Sequence, residues 1–151
     1  MVDVVANHTG PVGDDFSKLN PFTDKDHFHK DCSIDWTQQW SIEHCRLGDL
    51  PDLDQENTFV RDYLKKWVAG IIKEYGFDGI RIDTVAEVSK DFWAEYAESA
   101  GVFQIGEVSS PDQKYVGGYQ GSLQGVLNYP LFYDIGKVFG EGQKMYALYD
   151  N

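Results

Sequence analysis

The chain contains 151 residues, of which 42% are hydrophobic and 25% are charged. That length and balance predict one globular domain with a real core. Acidic residues outnumber basic ones by 25 to 13, and the formal net charge is −12. Nucleic acids and anionic membranes bind clustered positive charge, so we expect neither as a partner. No apolar run in the sequence approaches the length that a membrane span needs.

The first two predicted elements are a short buried strand and a long irregular segment. Residues 2–7 are apolar and rich in β-branched side chains, which is typical of a strand buried on both faces. Residues 8–50 carry Pro, Gly, Asp, His and aromatic residues without a steady period. Irregular segments of this length inside a compact domain are usually functional or form a small subdomain. We therefore predict a long excursion from the sheet here.

A long amphipathic helix follows this segment. Asn57 is suited to its N-cap and Gly76 to its C-terminal stop. Apolar residues recur between them at steps of three and four, which predicts a stripe that faces a core. The stripe consists of Val60, Tyr63, Leu64, Trp67, Val68, Ile71, Ile72 and Tyr75.

Three strands and one further helix complete the predicted pattern. The strands are expected over 79–83, 102–107 and 126–129, and the helix runs from a cap at Ser89 to Ala100. Strands that alternate with helices predict a parallel sheet, meaning either a (β/α)₈ barrel or a doubly wound sheet. No glycine-rich nucleotide motif follows any of the strands, which argues against a nucleotide-binding fold.

Charged side chains collect at the carboxyl ends of the predicted strands, where parallel α/β proteins form their active sites. Asp83 and Glu107 end neighbouring strands at the same level. Their carboxyl groups can therefore approach within roughly 5–5.5 Å, the spacing of a retaining glycosidase. Arg81 shares the strand face of Asp83 and would hold it ionised, as a nucleophile needs. Strand position alone leaves the alternative open, a structural Arg81–Asp83 ion pair beside a surface Glu107.

Two features of the irregular segment also allow more than one interpretation. Cys32 and Cys45 fit either a small disulfide-closed loop or two unrelated thiols. Trp36 could be a platform for a sugar ring or could pack in a core, since aromatic rings serve both uses.

Four short segments stand in a fixed order along the chain. They are Asp3-Val-Val-Ala-Asn-His8, Leu50-Pro-Asp-Leu-Asp54, Gly79-Ile-Arg-Ile-Asp83 and Ile105-Gly-Glu-Val108. Together they closely resemble the ordered signature segments of the α-amylase family of glycoside hydrolases. Residues 90–93 and 125–130 resemble the fungal-type secreted α-amylases in particular. The resemblance implies that residues 1–151 are a fragment of a catalytic (β/α)₈ TIM barrel, about its third to sixth strands, with a domain B-like insertion at 8–50.

The resemblance also implies roles for individual residues. Asp83 matches the nucleophile that forms a covalent glycosyl-enzyme. Glu107 matches the general acid, which later acts as the base that activates water. Arg81 matches the arginine that orients the nucleophile, and His8 matches the histidine that hydrogen-bonds the sugar undergoing attack. Trp36 remains a candidate for contact with substrate.

A calcium ion is implied as well. Asn7 and Asp52 match its side-chain ligands, while Glu43 and Glu87 would supply backbone carbonyls. Oxygen ligands of mixed charge suit calcium. The ion would tie the insertion to the barrel.

The fungal-type enzymes carry a disulfide at the positions of Cys32 and Cys45, which implies an oxidising compartment and a secreted protein. The implied activity is retaining endo-hydrolysis of α-1,4-glucosidic bonds in starch, glycogen and maltooligosaccharides, by a monomer. Two alternatives remain. One is an α-glucosidase or glucan transferase on the same barrel, and the other is a non-catalytic glucan-binding remnant.

The sequence departs from the family pattern in three places. Ala86-Glu87 stands where the fungal enzymes have Lys-His, and Ser109-Ser110-Pro111 replaces their Asp-Gly pair. We therefore expect different contacts to the glucose units beyond the cleaved bond. Nothing in the chain matches the family's further essential aspartate, which lies on a later strand. Since an open half-barrel would also expose strand edges, we predict that the chain alone is inactive and poorly stable.

Overall fold

The computed structural model describes residues 1–13 and 15–148 and contains one parallel sheet of four strands. The strands lie side by side in chain order and are β1 Val2–Val4, β2 Gly79–Ile82, β3 Phe103–Gly106 and β4 Gly125–Val126. The α-helices are α1 Gln39–His44, α2 Thr58–Tyr75, α3 Lys90–Ala100, α4 Gln113–Gly117 and α5 Tyr129–Ile135. No helix in this part of the chain is both long and apolar enough to cross a membrane.

Alternation along the strands separates a buried face from a polar one. Val4 pairs with Ile82, and both side chains are buried beneath the helices. In the next row, Asp3 pairs with Arg81, whose side chain points to the opposite face. The sheet therefore packs one face against α2 and α3 and presents charged groups on the other.

Helix α2 has the boundaries that the sequence predicts, because local signals set both ends. The side chain of Asn57 accepts hydrogen bonds from the first amides of the helix. Gly76 ends it in the left-handed conformation, with φ of 66°, and donates to the Ile72 carbonyl. The predicted stripe is wrong at two positions, since Tyr63 and Tyr75 are 37% and 65% exposed and the other six members face the core.

Helix α3 confirms its predicted range and supplies the aromatic part of the core. Phe92, Trp93 and Tyr96 are fully buried, and Trp93 Nε1 donates to the carbonyl of Val85 at 2.8 Å. Ser89 occupies the N-cap position but makes no side-chain hydrogen bond to the helix amides. The helix is therefore positioned by packing more than by its cap.

Charged side chains on the outer surface join α2 to α3. Arg61 binds Glu95 through two nitrogens, at 3.1 and 2.9 Å, and also reaches Asp91 at 3.1 Å. Lys65 contacts the same Glu95 carboxylate at 2.9 Å. This network holds the two helices side by side.

Residues 8–50 form the predicted long excursion. It contains two 3₁₀ turns, Phe16–Lys18 and Lys25–His27, and the short helix α1. A disulfide joins Cys32 to Cys45, with Cα atoms 4.9 Å apart, so the disulfide prediction is confirmed. The assignment of this excursion as domain B stays a prediction.

Two predicted strands differ from the observed ones by more than one residue. Tertiary pairing explains the first difference, and the start of α5 explains the second. The first strand stops at Val4 rather than Asn7, because the following residues leave the sheet and bond to 51–55. The Asn7 carbonyl, for example, accepts from the Leu53 amide at 2.8 Å. The last strand ends at Val126, and Tyr129 already begins α5, which the Asn128 side chain caps.

Candidate active site

Asp83 and Glu107 follow directly after β2 and β3, at the carboxyl edge of the sheet. The backbone amide of Asp83 donates to the carbonyl of Val4 at 2.9 Å. The backbone amide of Glu107 donates to the carbonyl of Ile82 at 2.8 Å. These backbone bonds extend the parallel ladder by one residue on each strand. Both carboxylates therefore project from rigid positions at neighbouring points on one edge.

One guanidinium links the two carboxylates. Arg81 Nη1 lies 2.6 Å from Asp83 Oδ1, and its Nη2 lies 2.9 Å from Glu107 Oε2. Nη1 also contacts Asp3 Oδ1 at 2.9 Å. Burial alone would lower the pKa of Arg81, but these carboxylates raise it above its usual value. Asp83 and Glu107 thus converge on one fixed cation.

Glu107 has a further partner that the sequence reasoning missed. The hydroxyl of Tyr129 donates to Glu107 Oε1 at 2.5 Å. This bond is the main reason that the pKa of Tyr129 rises to about 12, with burial second. Tyr129 lies inside the segment 125–130 noted above, but the strand predicted over 126–129 does not predict a contact between its ring and Glu107. The contact arises because Tyr129 begins α5 instead.

His8 lies near the carboxylates as an uncharged group. Burial lowers its pKa, and the nearby charge of Asp83 only partly opposes that effect. Its Nδ1 lies 3.2 Å from the side-chain amide of Asn7. Trp36, in contrast, is 62% exposed on the excursion, which excludes burial within the described chain. Its contact with a sugar stays a prediction.

Three of the four predicted calcium-binding residues, Asn7, Asp52 and Glu87, meet at a buried amide. Asn7 and Asp52 are 0% and 1% exposed. One terminal atom of the Asn7 amide lies 2.9 Å from Asp52 Oδ1 and 3.0 Å from the Glu87 carbonyl oxygen. With nitrogen at that position, the amide donates to both of these oxygens. With oxygen there, three oxygens converge, an arrangement that fits a hard divalent cation. The Glu43 carbonyl lies in the last turn of α1, where helix carbonyls lack intrahelical partners.

Burial dominates the electrostatics of these acids. It raises the pKa of Asp52 to about 6, with His29 opposing the effect, and it raises the pKa of the Glu87 side chain to about 7. Burial would lower the pKa of His29, but hydrogen bonds to Asp52 and Glu56 outweigh it and raise the value to about 9. At neutral pH the His29–Asp52 contact, 2.7 Å long, is therefore an ion pair.

A second group of side chains is able to hold a metal ion. His29, His44 and Glu56 each offer one ligand atom, and these atoms lie within 4.8 Å of one another. The sequence reasoning missed this group because its members are widely spaced along the chain. The spacings 15 and 12 match no short metal-binding motif.

The chain is similar to known proteins over nearly its whole length. A family profile described as the alpha amylase catalytic domain matches residues 1–149. Alpha-amylase 1 of Lipomyces kononenkoae is 40% identical over 148 residues, which cover 92% of this chain and 24% of that protein.

Solved structures give the same result. An α-amylase from Malbranchea cinnamomea superposes with a TM-score of 0.94 at 38% identity, covering 99% of this chain and 34% of that one. An α-amylase from Geobacillus thermoleovorans, solved in complex with acarbose, gives 0.82 at 38% identity, covering 89% and 31%. The chain thus spans about a quarter to a third of the length of these relatives.

The parallel strands and their connecting helices match part of the TIM barrel of a glycoside hydrolase. Within that class, the chain belongs to the α-amylase family.

Proposed function

We propose that this chain forms part of a longer α-amylase that performs retaining endo-hydrolysis of α-1,4-glucosidic bonds in starch, glycogen and maltooligosaccharides. The observation that carries the proposal is the convergence of Asp83 and Glu107 on Arg81, from the ends of neighbouring strands. The relative from Lipomyces bears the name of this activity, and the Geobacillus enzyme binds acarbose. Both support an α-glucan as substrate.

Asp83 is proposed as the nucleophile. Its carboxylate attacks the anomeric carbon, the bond to the leaving oxygen breaks, and a covalent glycosyl-enzyme forms. Arg81 holds Oδ1 at 2.6 Å, which fixes the orientation of the carboxylate. The other carboxylate oxygen remains available for the attack.

Glu107 is proposed as the acid and then the base. It gives its proton to the leaving oxygen in the first step and takes one from the attacking water in the second. Tyr129 binds its Oε1 and Arg81 binds its Oε2. Together they position the carboxyl group for both steps.

We propose that His8 donates a hydrogen bond to the sugar at the cleavage point. When the Asn7 oxygen faces Asp52, the amide nitrogen of Asn7 donates to His8 Nδ1. The single proton of the neutral ring then sits on Nε2, where it is free for a sugar hydroxyl. The orientation of one buried amide thereby sets the tautomer of a substrate-binding ring.

Calcium is the ion we propose for the cluster of Asn7, Asp52 and the Glu43 and Glu87 carbonyls. When bound, it supplies positive charge that fixes the Asn7 amide with its oxygen inward. The cluster joins the start of the excursion to the segments before α2 and after β2.

We further propose that residues 8–50 are the family's domain B, that Trp36 contacts glucan there, and that the protein is secreted as a monomer. The disulfide supports the extracellular location.

The test uses the protein expressed with its native flanking sequence. Asp83→Asn and Glu107→Gln are each expected to lower kcat on soluble starch by at least about a thousandfold. Asp78→Asn and Glu98→Gln make the same chemical changes at exposed positions and are expected to leave kcat unchanged. Wild-type kcat that survives either active-site change would overturn the assignment.

Product analysis decides among the related activities. Internal cleavage of starch, with the α-anomer formed first, is the expected result. Terminal glucose alone would point to an α-glucosidase, and longer transfer products would point to a glucan transferase. Glucan binding without turnover would point to a non-catalytic binding module. Each of these three outcomes contradicts the proposed function.

A further inference from the structure

The group of His29, His44 and Glu56 lies outside the chemistry proposed for glucan cleavage. His29 follows the 3₁₀ turn Lys25–His27, His44 ends α1, and Glu56 precedes α2. Three segments that are distant along the chain thus place two imidazoles and a carboxylate with their ligand atoms within 4.8 Å of one another.

Both histidines are held by the ring nitrogen that a metal would not use. His29 Nδ1 lies 2.7 Å from Asp52 Oδ2, and His44 Nδ1 lies 2.8 Å from the carbonyl of Trp40. Each partner accepts hydrogen bonds only, so each Nδ1 carries a proton. Metal-binding histidines are oriented in this way, by a carboxylate or a carbonyl on the second nitrogen. The Nε2 atom of His44 is left to bind an ion, and at His29 a bound ion would replace the proton that Nε2 shares with Glu56.

The ligand atoms favour one class of ion. Nε2 of His29 lies 2.9 Å from Glu56 Oε2, so an ion at this point would meet nitrogen and oxygen together. Calcium prefers six to eight oxygens, whereas zinc and its neighbours take two imidazoles and a carboxylate in a four-coordinate site. Such a site places its ligands roughly 3.3 Å apart, which requires only a small inward shift of half-exposed His44 or exposed Glu56.

The group also has an entry path. His29 and His44 line an open cavity of about 1020 Å³, together with Trp40 and Asp54. Solvent in that cavity can deliver an ion and supply a water as its fourth ligand.

We propose that His29, His44 and Glu56 form a binding site for a zinc-class divalent cation. The bound ion cross-links the excursion to the segment that enters α2. The disulfide Cys32–Cys45 already joins the neighbourhoods of the two histidines, so the metal adds the third segment. This site does not depend on the proposed glucan hydrolysis, and failure of either one leaves the other standing.

Zinc titration with saturating calcium present tests the proposal on the protein with its native flanking sequence. We expect one zinc ion per chain. The rings of His44 and Trp40 are stacked with their centroids 4.8 Å apart, so His44→Phe keeps a stacked ring but removes the ligand. His44→Phe and Glu56→Gln are each expected to weaken zinc binding at least about tenfold. His27→Phe and Glu98→Gln, which alter the same residue types outside the group, are expected to bind zinc like wild type.

A cobalt(II) spectrum provides an independent readout. Cobalt in the same site is expected to show the intense visible bands of four-coordinate geometry, and these bands should disappear in His44→Phe. Melting temperatures without zinc, measured for every variant, separate a lost ligand from a lost fold. The proposal is overturned by absence of stoichiometric zinc binding, by binding that His44→Phe and Glu56→Gln leave unchanged, or by zinc that excess calcium displaces.

Discussion

At the scale of single residues, the site depends on how two carboxylates share their neighbours. Arg81 contacts both Asp83 and Glu107, whereas the strand pattern predicts contact only with Asp83. Tyr129 adds a hydroxyl that binds the Glu107 oxygen Arg81 does not contact. The proximity of Asp83 and Glu107 is predictable from the sequence, because it follows from side-chain alternation and parallel register. The contact of Tyr129 is not, because its position depends on how α5 packs against the sheet.

Tyr129→Phe tests the role of that hydroxyl. The hydroxyl fixes one oxygen of Glu107, so its removal should let the carboxyl group leave the position from which it gives and takes a proton. We expect kcat on soluble starch to fall about tenfold while KM changes little. The measurement is starch hydrolysis by wild type, Tyr129→Phe and Tyr75→Phe, whose residue is exposed on α2. An unchanged kcat in Tyr129→Phe contradicts this role.

At the scale of secondary-structure elements, local signals place helices well and strand ends less well. Asn57 and Gly76 bound α2 because capping depends only on nearby residues. The end of β1 depends instead on pairing of residues 5–9 with 51–55, which are distant in sequence. Similarly, the group of His29, His44 and Glu56, which we propose as a metal site, arises from tertiary packing and leaves no local pattern.

Replacement by alanine is expected to change stability in opposite directions at two glycines, Gly70 within α2 and Gly76 at its C-cap. Gly76 has φ of 66°, where a Cβ is strained, so Gly76→Ala should lower the free energy of unfolding by about 1–2 kcal/mol. Gly70 lies inside the helix with open space around it, so Gly70→Ala should raise that free energy by roughly 0.5–1 kcal/mol. Urea denaturation of the two variants checks both values. Shifts of the same sign would show that the helix does not end as described.

The network between α2 and α3 predicts a pH dependence of stability. Hydrogen bonds from Arg61 and then Lys65 lower the pKa of Glu95 to about 2. Its folded pKa lies below its unfolded value, so its contribution is present above pH ~4.5 and is lost as pH falls toward 2.

Thermal unfolding of wild type and Glu95→Gln checks this dependence. We expect the wild type to have the higher melting temperature at pH 6 and the gap to narrow steadily toward pH ~3. Added salt should narrow it as well, because the pairs are exposed. Glu98→Gln, on the same helix, should show no such gap. A gap that widens on acidification would contradict the described ion pairs.

At the scale of the whole molecule, the described surface has an apolar region beyond β4. Phe132 and Phe139 are 64% and 70% exposed, and Leu131 and Ile135 lie nearby. Family barrels have eight strands, and β1 and β4 have no outer neighbour among the described strands. Sequence motifs predict the barrel class because they mark the ends of strands. They do not show what covers the apolar region beyond β4.

The isolated 151-residue chain is therefore expected to be inactive and poorly stable. Its exposed apolar region and strand edges favour association, which a fluorescent dye for apolar surface would detect. The protein with native flanking sequence should bind much less dye per mole. Starch hydrolysis by the purified short chain would contradict this prediction.

Trapping of the covalent intermediate tests the central claim most directly. The protein with native flanking sequence is incubated with a fluorinated glucosyl fluoride, which forms the intermediate but slows its breakdown, and is then digested and examined by mass spectrometry. We predict one added fluoroglucosyl group on Asp83 and none on Glu107 or Asp3. A label on either of those residues, or active hydrolysis of starch with no label at Asp83, would contradict the account.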